Sequence, residues 1–502
     1  MTERIDKTKR LQARIERDSG TIDQLERRFG LPLHLLWEAE VSRVAARFFE
    51  VARRLYPATI VAFAVKSNPC RGAVRTAARL GLGADVASEY ELRCALEEGI
   101  PADRIVCNGN AKSSAYLELA VRAGARIAVD SGDEIDALTT IARARPADVL
   151  IRFSGMPLSG LTSADQTTAA DWTKFGFPVS EARAVFRRVA RSSSLRYRGI
   201  SAHIGTQIAD PIGYERLIGE FFSLIETAAS LGLTTDSIDL GGGYPVSFLS
   251  QADWIAFTQR LRARIRGNAP ISDAVTWNDL PMGYADRPAG APESERWIGK
   301  AYWSARPEHE MLEHILEYRP DGRATTAERL RTLGGPTLIV EPGRSLFAGA
   351  GITLTRVVSV KRVLGHVVVA LDMGINNHGT NLISPDLFPA AVLPPRGDDA
   401  PIEAFLAGRL CFSGDMISKA NVPLNRMPRP GDRLVLYQTG AYSADHFASH
   451  SCGFPRPAKV AIRPDGSIEL WRRPEGFLDV FGRPTDPLQV DGLQAPPEGR
   501  SE

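Results

Sequence analysis

Apolar runs in the N-terminal part of the 502-residue chain end near Lys66, Ser88, Gly109, Ser131 and Phe153, 21 or 22 residues apart each time. The segments between are helix-patterned, such as Glu91-Leu92-Arg93-Cys94-Ala95-Leu96-Glu97-Glu98-Gly99, which closes on a C-terminal glycine. This period leaves room for one helix per crossover, so successive strands should run parallel. Three further strands are readable at Arg198 to Gly205, Ser237 to Gly243 and Thr337 to Gly343, making eight. Eight βα units predict an α/β fold closed into a (β/α)8 TIM-like barrel. The last two strands lie too far apart for one helix, so an insertion is expected at about residues 268–325. It is Pro-rich near 281–292 and carries Trp277, Tyr284, Trp297, Tyr302 and Trp303. Such aromatics suit either a self-packed excursion or a lid or partner surface.

The flanks differ in character. Phe29 to Trp37 reads as a turn entering a strand, and Val44, Phe48, Val51 and Leu55 recur at helical spacing, predicting an amphipathic helix over 39–55. Residues 1–20 are highly charged and predict a frayed or loosely helical end. After residue 351, strands are expected at 352–363, 366–372, 409–413, 432–439, 458–463 and 467–473, with Gly- and Pro-rich connections. The expected organisation is a segment 1–38 packing on a β-domain, a barrel over 39–350, a mainly β C-terminal domain over 351–483 and a disordered polar tail over 484–502. A net charge of +2 gives no reason to invoke nucleic acid or an acidic membrane. Five cysteines (Cys70, Cys94, Cys107, Cys411 and Cys452) form no C-x-x-C pair, which fits a reducing cytoplasm better than a disulfide framework. The N-terminus lacks the apolar core of a signal peptide, and no run approaches the roughly 18 apolar residues of a membrane helix.

Lys66 ends the apolar run Thr59 to Val65 and is followed by the strand-stopping Asn68-Pro69. Burial disfavours an ammonium, and a neutral amine is a nucleophile that can form a Schiff base. The chain has nine lysines against 52 arginines, so a lysine kept here points to amine chemistry that a guanidinium cannot do. The plainer reading is a strand-end lysine reaching water. In such barrels, catalytic groups gather at the C-terminal strand ends. Those ends carry Lys66, Asp85 with Ser88, Asn108 to Lys112, Asp130, Arg152, His203, Gly241 to Gly243, and Glu341 with Arg344. The run Asp239-Leu240-Gly241-Gly242-Gly243-Tyr244 frees backbone N–H groups for a phosphate. A lysine and a phosphate seat on one rim are what pyridoxal 5'-phosphate requires. Each residue has a plainer reading alone: a core histidine for His203, a pair with Glu341 for Arg344, a small buried apolar residue for Cys411.

The sequence resembles the fold-type III pyridoxal-phosphate enzymes, the group of diaminopimelate, ornithine and arginine decarboxylases. The likeness runs from about Phe29 to about Pro457, apart from the insertion. It is carried in order by Ala64-Val65-Lys66-Ser67-Asn68, Ala84-Asp85-Val86-Ala87-Ser88 with Glu91, Gly109-Asn110-Ala111-Lys112, Lys174-Phe175-Gly176, His203-Ile204-Gly205-Thr206-Gln207, the glycine run, Glu341-Pro342-Gly343-Arg344, Cys411-Phe412-Ser413-Gly414-Asp415, Gly440-Ala441-Tyr442 and Pro455-Arg456-Pro457. The resemblance implies a barrel plus β-domain of the alanine racemase/decarboxylase type. Lys66 would carry the cofactor as a Schiff base, His203 would stack on its ring, and Glu341 would bond the pyridine nitrogen. Gly241, Gly242, Gly243, Thr206, Arg344 and Tyr442 would hold the phosphate; Asp85 and Arg152 complete the expected cofactor-binding set. Cys411 would reach the site from a partner subunit, and Lys174 and Asp415 would tie the two subunits of a homodimer together.

An acid at Glu341 favours decarboxylation, because a protonated pyridine nitrogen stores the Cα carbanion; an alanine racemase places an arginine there. The departure is Phe412, which stands where the basic-amino-acid decarboxylases carry an acid for the substrate's distal ammonium. A small amino-acid-type substrate with an apolar or bulky distal part is therefore expected. A second departure is the long stretch Asn376-Asn377-His378-Gly379-Thr380 after Asp372-Met373-Gly374, at the mouth. The competing readings are a racemase or other Cα-bond-cleaving enzyme of the same fold, and a non-catalytic pyridoxal-phosphate-binding protein.

Overall fold

The computed structural model describes residues 7–156, 168–169, 172–267, 274–280, 285–286, 297–298, 300–379, 387–395 and 400–482. The chain begins with helices α1 (Lys7–Arg17) and α2 (Ser19–Phe29), followed by β1 (Leu33–Trp37) and α3 (Glu38–Leu55). From Lys7 on, this segment is packed helix rather than frayed. Leu11, Ile22 and Leu25 are buried and cluster with Leu33, Leu35, Leu354, Val435 and Val460. The charges that suggested a loose end are paired: Arg10, Arg14 and Arg43 all converge on the buried Glu40 at 3.1–3.3 Å.

Eight parallel strands follow: β2 (Thr59–Ala64), β3 (Gly83–Val86), β4 (Ile105–Cys107), β5 (Arg126–Val129), β6 (Ala147–Ser154), β7 (Leu195–Ser201), β8 (Ser237–Asp239) and β9 (Thr337–Val340). Each pairs with the next, and β9 pairs with β2 (Leu338 with Thr59), closing the barrel. The two-residue alternation along these apolar strands decides which side chains face the barrel's interior. Ala62, Val106, Ala128, Leu150 and Ile339 form a separate buried cluster across five strands, the barrel's interior. Their neighbours Val61, Phe63, Ile105, Ile127, Val149 and Val340 pack into the larger core with the helices.

Two of the regularly spaced strand ends prove to be helix caps. The hydroxyls of Ser88 and Ser131 accept from the N–H groups of Glu91 and Glu134, starting α4 (Glu89–Glu97) and α5 (Gly132–Ile141). The same two glutamates reach back to the N–H groups of Ala87 and Asp130, at 2.7 and 2.8 Å. Ser-x-x-Glu is thus both a stop signal for a strand and a start signal for a helix.

The stretch between β8 and β9 holds α6 (Gln251–Ile265), α7 (His309–Glu317) and α8 (Thr326–Thr332). Two of its aromatics pack on their own chain. Trp277 lies edge-on to Phe405 at 5.4 Å, and Tyr302 lies between Phe248 and Trp254. Tyr284 and the side chain of Trp297 lie outside the described residues.

The second domain is a mixed, mainly β sheet of β10 (Gly351–Val363), β11 (His366–Leu371), β12 (Ala390–Leu393), β13 (Ile402–Ala407), β14 (Met416–Leu424), β15 (Arg433–Tyr437), β16 (Ala458–Ile462) and β17 (Ile468–Arg472). N-terminal β1 sits inside this sheet, antiparallel to β10 and parallel to β16. The expected strand at 409–413 is not one. Those residues form the turn joining β13 to β14, closed by Gly408 N–H to the Asp415 carbonyl at 2.8 Å. The apolar Leu410-Cys411-Phe412 suggested a strand, but Ser413-Gly414-Asp415 is turn chemistry and prevails. Strands β12, β13 and β14 were not foreseen. The tail 484–502 lies outside the described residues. Among the described residues no helix is long and apolar enough to cross a membrane.

Candidate active site

β2 stops at Ala64, and Val65–Ser67 form a 3-10 turn held by Ser67 Oγ donating to the Ala64 carbonyl at 2.8 Å. The turn presents Lys66 at the C-terminal mouth of the barrel, half-buried and bonded to the Asp85 carboxylate at the end of β3. Burial alone would have freed this amine, and the structure overturns that expectation. Desolvation lowers the Lys66 pKa, but the carboxylates of Asp85 and Glu341 outweigh it, so its net shift is upward and the side chain is an ammonium. The acids on neighbouring strand ends, not the depth of the site, set its protonation.

Glu341 lies just past β9 and is buried. Asn108 Nδ2 donates to both Asp85 Oδ1 and Glu341 Oε1 at 2.8 Å, linking the two acids. Burial, reinforced by Asp239 and Asp85, pushes the Glu341 carboxyl well above the usual range. Burial also raises Asp239 to about 6, against the lowering bond it accepts from the Gly241 N–H at 2.9 Å. The Glu341 anion is therefore costly here, and the nearby Lys66 ammonium offsets only part of that cost. His203 is held down to about 3 by burial and by the charges of Lys66 and Arg152, so its ring is neutral. Its Nδ1 lies 2.9 Å from Thr168 Oγ1.

The glycine run is a close-approach surface. A Cβ would lie 2.7 Å from the Ala202 carbonyl oxygen at Gly241, 2.6 Å from that of Glu341 at Gly242, and 2.6 Å from that of Gly205 at Gly243. Gly243 also has φ +95°, where only glycine is unstrained. Tyr214 Oη fixes the loop by donating to the Gly242 carbonyl at 2.8 Å. Arg344 opens the short helix Arg344–Phe347, its guanidinium carbon 4.8 Å from the Tyr442 ring centroid.

One pocket thus collects Lys66, His203, Thr206, Gly242, Gly243, Glu341, Arg344 and Tyr442. Gly241 packs against the backbone of His203, and Asp85 bonds Lys66. Arg152 is buried nearby, 3.5 Å from Asp130 and 4.3 Å from the Phe175 ring centroid. Four predicted residues are not gathered. Lys174 is exposed, and Cys411 and Phe412 stand exposed on the β13–β14 turn. Asp415, expected to contact a partner, is buried. Its carboxylate accepts from the N–H groups of Ile375 and Leu410 at 2.7 and 2.6 Å, so it organises the turn that carries Cys411. Asn376 to Gly379 are buried too, with Gly379 N–H donating to the Ser443 carbonyl; Thr380 lies outside the described residues. Asn108 and Asp239 stand at strand ends without an evident role, because nothing local shows that Asn108 joins two acids or that Asp239 faces Glu341.

The pocket suits pyridoxal phosphate: an amine, a cradle closed to any side chain beside a guanidinium, a neutral ring and a buried acid. The comparisons agree. The model of the pyridoxal-dependent decarboxylase pyridoxal-binding domain matches residues 41–276, and that of the C-terminal sheet domain matches 231–440. The chain is 31% identical over 456 residues to a diaminopimelate decarboxylase of Actinosynnema pretiosum, spanning 90% of this chain and 88% of that protein. It is 30% identical to the uncharacterized protein y4yA of Sinorhizobium fredii, over 87% and 89% of the two chains. In fold it resembles the diaminopimelate decarboxylase of M. jannaschii in complex with L-lysine, with TM-score 0.75, 22% identity and coverage of 92% and 94%. Family match, barrel and sheet domain together make this chain a fold-type III pyridoxal-phosphate-dependent decarboxylase, a carboxy-lyase of the diaminopimelate/ornithine/arginine decarboxylase group.

Proposed function

We propose that this enzyme decarboxylates an amino acid whose distal part is apolar or bulky and carries no free ammonium, in active sites shared by the subunits of a homodimer. The observation behind the substrate reading is Phe412, half exposed on the turn beside Cys411. Solved relatives are complexed with L-lysine, putrescine or cadaverine, all of which carry a distal amine. A phenyl group at the acid's position offers no anion to such a group, and an unpaired buried ammonium costs several kcal/mol.

The site residues divide the work. Lys66 would hold the cofactor at its aldehyde carbon, while the N–H groups of Gly241–Gly243, Thr206, Arg344 and Tyr442 would hold its phosphate. The bound cofactor supplies the sink for the electron pair left when the Cα–carboxylate bond breaks. His203 offers a neutral face, so it adds no charge against a cationic ring. Glu341, expensive to ionise alone, would find in the ring nitrogen the cation its anion lacks. Lys66 would carry protons to and from the substrate amine. The thiol of the partner subunit's Cys411 would deliver a proton to Cα, and the exposure of Cys411 in a single chain accords with that assignment.

The test is CO2 release, followed by mass spectrometry, from a panel of basic, acidic and large apolar amino acids plus diaminopimelate. Release from a non-basic substrate, absent in Lys66→Ala, supports the proposal. Strong turnover of diaminopimelate or ornithine overturns the substrate reading. Exchange of Cα hydrogen without CO2 would favour racemisation.

A further inference from the structure

At the end of the Lys66 turn lies a buried polar junction between barrel and sheet. Lys459, on β16, is 3% exposed. Its ammonium donates to Asn68 Oδ1 at 2.6 Å and to Asp445 Oδ2. Asn68 ends the turn that carries Lys66, and its Nδ2 donates to the Gly440 carbonyl at 2.9 Å. The Tyr442 N–H donates to the Ser67 carbonyl at 2.8 Å, completing a stitch between the two halves of the site. Asp445 lies three residues past Tyr442 and also binds Arg472, while Cys70 Sγ approaches it at 3.6 Å.

Charge balance does not explain Lys459. Arg472 alone would neutralise Asp445, and burying a second cation costs desolvation. What Lys459 adds is reach. Its donors span Asn68 on the barrel side and Asp445 on the sheet side at once. β16 is buried along its whole length and paired in register with β1, His34 opposite Lys459, so the platform is rigid.

We propose that Lys459 is a positioning residue of the active site: one buried ammonium sets the Lys66 turn through Asn68 and the Tyr442 segment through Asp445. This rests on the reading of Lys66 as the cofactor lysine and of Tyr442 as part of the phosphate seat. Small displacements of a reacting amine cost much in rate, so the effect falls on chemistry as well as on stability.

The experiment compares the Lys459→Met and Arg472→Met holoenzymes. Either leaves Asp445 with one cation. Thermal unfolding, the pH profile of the visible cofactor band, and kcat and KM at saturating cofactor are measured on both, using the panel substrate that releases most CO2. Lys459→Met is expected to lower kcat about tenfold or more and to shift the pH profile. Arg472→Met is expected to lower Tm with both unchanged. If Lys459→Met does not fold, Asn68→Ala must reproduce the kcat loss with the Lys459–Asp445 pair intact. A wild-type kcat and pH profile in Lys459→Met, or in Asn68→Ala in its place, whatever the Tm, overturns the proposal. A wild-type visible band in Lys66→Ala would defeat the reading of Lys66 instead, and is scored separately.

Discussion

Adding one methyl group at Gly243 should damage both the fold and the cofactor seat. The backbone there has φ +95°, and an L side chain in that region costs about 1–2 kcal/mol. The new Cβ would also lie 2.6 Å from the Gly205 carbonyl oxygen, 3.0 Å from Tyr214 Oη and 3.1 Å from Ile208 Cγ1. Overpacking of this kind costs about 1–3 kcal/mol, so Gly243→Ala should lose about 2–5 kcal/mol in total. Gly232→Ala separates the two effects. Its φ is +78°, yet nothing lies within 4 Å of the added Cβ, so it should lose only the backbone share. Gly205 and Gly243 both line the pocket, so whatever part of the crowding the cofactor-free protein relieves by opening the seat is re-imposed on binding. The crowding of about 1–3 kcal/mol is thus divided between lower apo stability and a Kd for pyridoxal phosphate raised by up to about 150-fold. Urea unfolding of the cofactor-free proteins and a titration followed by visible absorbance measure both quantities. If Gly243→Ala matches Gly232→Ala in stability and binds the cofactor as wild type does, the close-approach account of this loop is wrong.

Four further outcomes are expected. Asp85→Asn removes the nearest anion from Lys66, lowers its pKa and should speed cofactor capture at neutral pH; a stopped-flow trace with no acceleration would count against the Asp85 account. Phe412→Asp should raise kcat/KM for ornithine or lysine about tenfold or more, and no gain in a CO2 assay would remove Phe412 from the substrate's surroundings. His203 stays neutral down to about 3, whereas an unfolded imidazole titrates near 6.5. The unfolded state alone therefore gains a proton as pH falls through that window, and stability is lost with it. The fall in Tm between those pH values should be shallower in His203→Gln. Leu11 is fully buried under the sheet, so Leu11→Ala should cost about 2–5 kcal/mol by chemical denaturation; a loss below about 1 kcal/mol would restore the frayed-end picture.

Much of this was legible because it is local. The spacing of apolar runs from Lys66 to Phe153 specifies one helix per strand, and Ser88-x-x-Glu91 and Ser131-x-x-Glu134 mark the switch from one element to the next. Eight such units close a barrel, and a barrel puts Lys66, His203, Glu341 and the glycine run on one rim. Patterning could not say how groups far apart in the chain would meet. Nothing in the sequence around Lys66 shows that Asp85 would bond it and hold its proton in place. Nothing near Asn108 shows that its amide would join two acids, or near Asp415 that its carboxylate would turn inward to fasten the Cys411 turn. The chain alone determined the barrel, the rim and the chemistry its residues can do. Tertiary structure decided which of them are charged and which are held, because protonation and position depend on partners that only folding brings within a few ångströms.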